Sequence, residues 1–101
     1  MALKFEKQVD GTNLEVSLTG RLDTNTSPQF ESFLKENLAN KTQVELDFEK
    51  LEYISSAGLR VILSVQKIMN KQGAMKLVHV NKLIREIFEA TGLNDILTIE
   101  E

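Results

Sequence analysis

Two adjacent hydroxyls, Ser55 and Ser56, stand at the turning point of Tyr53-Ile54-Ser55-Ser56-Ala57-Gly58-Leu59-Arg60-Val61-Ile62-Leu63. Upstream, Val44, Leu46 and Phe48 alternate with polar residues, as in a half-buried strand. Downstream, the apolar run continues through Val65, Ile68 and Met69 to Gly73, as in a helix. A serine at such a junction has two uses. It can cap, because the first N–H groups of a helix lack intrahelical partners and a side-chain oxygen accepts one of them. It can also carry a phosphate, which the same N–H groups and the positive end of the helix dipole receive well. Local physics leaves both uses open.

Other chemistry lacks its parts. A serine hydrolase needs a base, and the single imidazole is His79, which reads as a structural strand residue; the Gly-x-Ser-x-Gly elbow is absent. Hydrolysis is therefore the least supported alternative. With no cysteine and one histidine a metal site would rest on carboxylates, and Asp47, Glu49 and Glu52 read as a solvated strand end, so no metal is expected. No Gly-x-x-x-x-Gly-Lys-Ser/Thr loop is present, and neither a cofactor nor nucleotide hydrolysis is expected.

Composition narrows the partners. The 101 residues, 42% of them hydrophobic, fit one compact domain over 1–101. Fifteen acids against 12 bases give a net charge of −3, with no basic block, which argues against nucleic acid. No candidate helix has the basic face of a membrane-surface element, and the start alternates polar and apolar residues rather than forming a signal peptide. The expected compartment is the cytoplasm.

The elements that must position the serines follow from periodicity. Residues 3–9 and 14–18 form period-two runs around Asp10-Gly11-Thr12-Asn13, a hairpin whose first strand is an antiparallel edge. Residues 20–25 read as a polar loop. Thr26-Ser27-Pro28-Gln29 reads as a helix start, either with Ser27 capping ahead of Pro28 or with Thr26 and Gln29 as a capping box. Phe30, Phe33, Leu34 and Leu38 supply that helix's apolar face. A strand over 43–49 precedes the junction, and the helix from about Ser56 should be the most buried, with Gly73 as its left-handed cap. A strand over 75–80 carries His79, a helix over 82–91 closes at Gly92, and 96–99 is a last short strand. This alternation predicts an α/β domain: a mostly parallel mixed sheet with an antiparallel N-terminal edge strand and helices packed on it.

The junction resembles the signature of the STAS domain, the family of bacterial anti-anti-sigma factors, whose usual core reads Asp-Ser-Ser/Thr-Gly ahead of a hydrophobic helix. Leu18-Thr19-Gly20-Arg21-Leu22-Asp23 is similar to the family's Gly-x-Leu-Asp turn, and the stretch from Ile84 to Leu93, with Ile87-Phe88 and Gly92-Leu93, is similar to its closing helix. The resemblance implies that Ser56 is the phosphorylated serine, with Ser55 at the aspartate position and Ala57 at the second hydroxyl position. It implies a protein that binds an anti-sigma factor serine kinase when unphosphorylated, releasing a sigma factor, with a phosphatase resetting the switch. The implied partner surface is Asp23, Thr24, Asn25, Ser55, Ser56, Ala57, Gly58 and Arg60, because loops at the carboxyl ends of neighbouring parallel strands converge. Ser55 and Ala57 keep an alternative open: a STAS scaffold of a transport or stressosome-like complex that is never phosphorylated.

Overall fold

A computed structural model describes residues 3–100. β1 (Leu3–Asp10) and β2 (Asn13–Leu22) form the antiparallel hairpin, registered from Leu3 opposite Gly20 to Asp10 opposite Asn13. Its tight turn uses the left-handed backbone of Gly11, at φ +61°. There follow α1 (Ser27–Asn37), β3 (Gln43–Ile54), α2 (Ser56–Gln72), β4 (Ala74–Val78), α3 (Lys82–Thr91) and a 3-10 turn, Leu93–Asp95.

The sheet order is β1-β2-β3-β4, with the last three strands parallel. Both crossovers step in the same direction along the sheet, so right-handed connections put α1 and α2 on one face. Burial agrees. Leu14, Val16, Leu18, Val44, Leu46, Phe48, Met75 and Leu77 are buried on that face, against Phe30 and Leu34 of α1, Ile62, Val65 and Met69 of α2, and Ile84 and Phe88 of α3. The Phe48 and Phe88 rings stand 6.2 Å apart, and Phe5 packs on Phe30 and Phe33. Each such side chain contributes about 1.5–3 kcal/mol of burial. The opposite face, with Glu15, Ser17, Thr19, Glu45 and Asp47, is open and polar.

Several boundaries differ from the sequence expectation, each for a physical reason. Residues 20–22 continue β2 instead of forming a loop, because Leu22 keeps the alternation that Gly20 hides and is fully buried opposite Ile54. β3 likewise runs on to Ile54, with register shifts beside Ser17 and Gly20 absorbing irregularity. β4 stops at Val78, since His79 adopts φ +55° and leaves the strand. Among the described residues, the last strand is reduced to one bridge between Leu77 and Ile99.

Gly73 does not cap α2 in the left-handed region. Its φ of 173° is extended, and a Cβ there would fall 2.0 Å from the Thr42 carbonyl oxygen, so close backbone approach is what requires glycine. Gly92, at φ +75°, does close α3 in the expected way. α2 is the most buried helix, as its broad apolar surface implied.

Candidate functional site

Among the described residues, β1 pairs as far as Gly20 and β4 as far as Asp47 of β3, while Leu22 and Ile54 still face each other. The pairing of β2 with β3 up to Leu22 and Ile54 carries the β2–α1 and β3–α2 loops forward together. The Ser55 N–H donates to the Leu22 carbonyl at 2.9 Å, joining the loops directly. Arg21 and Tyr53 brace the pair, with the guanidinium 4.3 Å from the ring centroid.

At the start of α2 the two serines divide the work. Ser55 is the N-cap, in extended backbone, and its Oγ accepts from the Gly58 N–H at 3.3 Å while its carbonyl accepts from Leu59. Ser56 is the first helical residue and is exposed, so the capping role considered for it falls to Ser55. No acidic residue stands in this first turn, and exposed Arg60 lies one turn on. The helix dipole and Arg60 therefore favour negative charge beside Ser56. Gly58 is buried beneath, with no room for a side chain between Leu22 and Ile54.

Across the junction, Asp23 organises the loop before α1. Its Oδ1 accepts from the N–H groups of Asn25 at 2.9 Å and Thr26 at 3.1 Å. Its carboxyl is held below the usual value, first by the Thr26 N–H, then by the Asn25 N–H, the Thr26 hydroxyl and the Arg21 charge, all working against desolvation. Neither predicted helix start forms. Thr26 occupies the N-cap without a side-chain cap bond, its hydroxyl donating instead to the Arg21 carbonyl at 2.8 Å, and the Ser27 hydroxyl donates to the Asp23 carbonyl. The turn held by Asp23 takes up the Thr26 N–H and hydroxyl that a capping box would use.

Thr24, Ala57 and Arg60 line one shallow groove of about 260 Å³ with Ser27, Pro28, Glu31 and Val61. Of the residues named from sequence, these three meet on one surface. Ser55 and Gly58 hold the loop beneath it, and Asp23 and Asn25 shape the neighbouring turn. Pro28, Glu31 and Val61 escaped the sequence reading because only the docking of α1 on α2 brings them together. Leu22 could have been found from its parity with Leu14, Val16 and Leu18.

His79 is no strand residue. It is 61% exposed, with Nδ1 3.1 Å from Asp47 Oδ1, a pairing that raises its pKa. Among the described residues its ring makes no hydrogen bond to a serine, as a hydrolase triad would require. Asp47 and Glu49, which the sequence presents with Glu52 as a solvated strand end, group with His79. Among the described residues, no helix is long and apolar enough to cross a membrane.

Comparison with known proteins agrees with this architecture. A family model described as "Mlab, STAS domain" matches residues 5–99. BtrV of Bordetella bronchiseptica, named as a candidate anti-sigma factor antagonist, is 36% identical over 98% of this chain and 85% of its own length. The anti-sigma-B factor antagonist of Staphylococcus aureus is 28% identical over 100% of this chain and 95% of its own. Among solved structures, the Bacillus cell fate determinant SpoIIAA in its phosphorylated form superimposes with a TM-score of 0.74 at 20% identity, over 99% of this chain and 92% of that one. A single mixed sheet with one antiparallel edge and helices packed on it is thus a shared plan, and the chain belongs to the STAS domain family, with anti-sigma factor antagonists as its relatives.

Proposed function

We propose that this chain is an anti-sigma factor antagonist acting in the cytoplasm by binding, not catalysis. Unphosphorylated, it binds an anti-sigma factor that is also a serine kinase and so frees a sigma factor. The kinase transfers the γ-phosphoryl group of ATP to Ser56 Oγ, releasing ADP, and this ends binding; a phosphatase hydrolyses the ester to inorganic phosphate and restores it. The observation that carries this reading is the division of labour at α2: Ser55 caps the helix, which leaves the Ser56 hydroxyl exposed and uncommitted at its positive end.

The groove lined by Thr24, Ala57 and Arg60 is the proposed contact surface. A phosphate brings about 1.5–2 negative charges to its edge, and burying them against a partner costs desolvation free energy. The helix terminus tolerates the same charge, so the switch acts on the interface rather than on the fold.

One observation favours a second reading, a STAS scaffold that is never phosphorylated. Ser55 supplies a neutral cap where the family has a carboxylate, and Ala57 brings no second hydroxyl to the groove. Incubating the chain with a serine-kinase anti-sigma factor and ATP, then measuring intact mass, separates the two. One added phosphoryl group that Ser56→Ala abolishes supports the switch; unchanged mass together with stable complex formation supports the scaffold.

A further inference from the structure

Asp47, Glu49 and His79 lie outside the surface just described, on the sheet side that carries no helix. Their donor atoms, one imidazole nitrogen and two carboxylate oxygens, all lie within 4.8 Å of one another. Three local features bring them together. Asp47 and Glu49 are two apart on β3 and so share a face. The Glu49 N–H donates to Asp47 Oδ1 at 2.9 Å, orienting that carboxylate. On β4, Val78 pairs with Asp47, and strict alternation would send the next side chain to the opposite face; the left-handed backbone of His79 ends the strand and leaves its ring beside Asp47 instead.

We propose that these three side chains form a binding site for one divalent transition-metal ion of the zinc type. The donor set decides the class. Calcium and magnesium select oxygen-only shells, whereas imidazole nitrogen with carboxylate oxygen suits zinc and its neighbours. Two carboxylates and one neutral imidazole offset the ion's double charge, and three protein ligands leave at least one position for water or a small anion. That position is open to solvent: Asp47 and Glu49 also line a concavity of about 250 Å³ with Ser17, Thr19, Lys4 and Lys50. The ion would tie β4 to β3 where their pairing ends, and it should stabilise the folded chain by mass action.

His79 is the only histidine in the sequence, so its ring signals report on the site without ambiguity. The test titrates zinc chloride into the tag-free chain, following heat and the His79 imidazole NMR resonances together, with a thermal melt at saturation. The expected result is one saturable site, ring resonances that move in step with it, and a raised melting temperature; magnesium chloride should move none of them. His79→Asn, chosen because asparagine tolerates left-handed backbone, and Asp47→Asn should each lose the binding while keeping the fold by circular dichroism. Glu52→Gln should bind as the unaltered chain does. Imidazole resonances that stay still at saturation, or an unaltered isotherm for His79→Asn, would overturn the proposal. So would uptake of several ions without saturation, which is diffuse carboxylate binding.

Discussion

Gly58 sits so close to Leu22 that a Cβ on it would lie 2.8 Å from Leu22 Cγ, with Ile54 Cγ1 at 2.9 Å and the Leu22 carbonyl oxygen at 3.0 Å. Glycine in a first helical turn is otherwise a poor choice, unfavourable by about 0.5–1 kcal/mol relative to alanine. Here the close approach lets the end of β2 and the start of α2 share one hydrogen bond, from Ser55 to Leu22. Two of the three contacts are side-chain atoms of buried residues and the third is backbone, so the strain has little room to relax.

Gly58→Ala is therefore expected to destabilise the chain by about 1–3 kcal/mol, the range of overpacked cores, despite alanine's better helix propensity. Urea unfolding measures it. A variant as stable as the original or more so would show that the packing at Leu22 yields freely.

Ser55 and Ser56 should separate cleanly in stability. Ser55→Ala removes the oxygen that accepts from Gly58 and should cost about 0.5–1 kcal/mol, the lower part of the capping range, since that bond is 3.3 Å long. Ser55→Asp keeps an acceptor at the positive helix end and should lose nothing. Ser56→Ala, at an exposed and uncommitted position, should stay within about 0.5 kcal/mol. Thermal melts of the three variants check the assignment; an equal loss for Ser56→Ala would return the cap to Ser56.

Asp23 makes an acid-range prediction with a definite sign. Its folded pKa lies below the ordinary aspartate value, so the folded state binds its proton more weakly than the unfolded state does. Its contribution is then fully present above the unfolded value and is lost as pH falls through the depressed folded one. Asp23→Asn should flatten this acid limb of stability and loosen the turn at Thr24 to Thr26. Melting temperatures between about pH 5 and pH 2 test it; parallel curves for the two proteins would mean that the turn does not draw on the carboxylate charge.

The two glycines that close helices differ in kind, and substitution should show it. Gly73→Ala drives a Cβ against the Thr42 backbone, at 2.0 Å from its oxygen, so about 3 kcal/mol or more is expected. Gly92→Ala meets nothing within 4 Å but must hold φ +75°, a left-handed conformation costing about 1–2 kcal/mol. If Gly73→Ala proved the milder change, the β4 entry would have to be more mobile than its hydrogen bonds from Gly73 to Met69 and from Ala74 to Thr42 suggest.

Much of this was legible in the sequence where a regular period runs unbroken. The hairpin, the order of elements and the burial of α2 follow from alternation of two and from a broad helical stripe. Legibility failed where one residue breaks the period for a reason seen only in three dimensions. Gly20 hides the parity that carries Leu22 into the sheet, and His79 leaves its strand through a positive φ. Gly73 looks like a left-handed cap but answers a neighbouring backbone. At the site, the strand-to-helix junction was visible, while the choice between two adjacent serines needed the geometry of the cap. The groove wall from Pro28, Glu31 and Val61 depends on the packing of α1 against α2, which no local pattern encodes.

The last prediction concerns Ser56 as a switch. Ser56→Asp places a carboxylate at the positive end of α2, where dipole effects are worth about 0.3–1 kcal/mol in its favour, so the fold should be kept or slightly stabilised. Affinity for the anti-sigma factor should nevertheless fall, because the charge must be desolvated beside the groove of Thr24, Ala57 and Arg60. Ser56→Ala should bind as the unphosphorylated chain does, locked in the competent state. The two variants thus move stability little and affinity in different ways, a pattern that a purely structural serine would not produce. Calorimetric titration of both against the anti-sigma factor, beside thermal melts, reads the two quantities separately. Full affinity for Ser56→Asp would count against the switch unless the phosphorylated chain, which carries about 1.5–2 charges where the carboxylate carries one, still dissociated; a phosphorylated chain that stayed bound would end it.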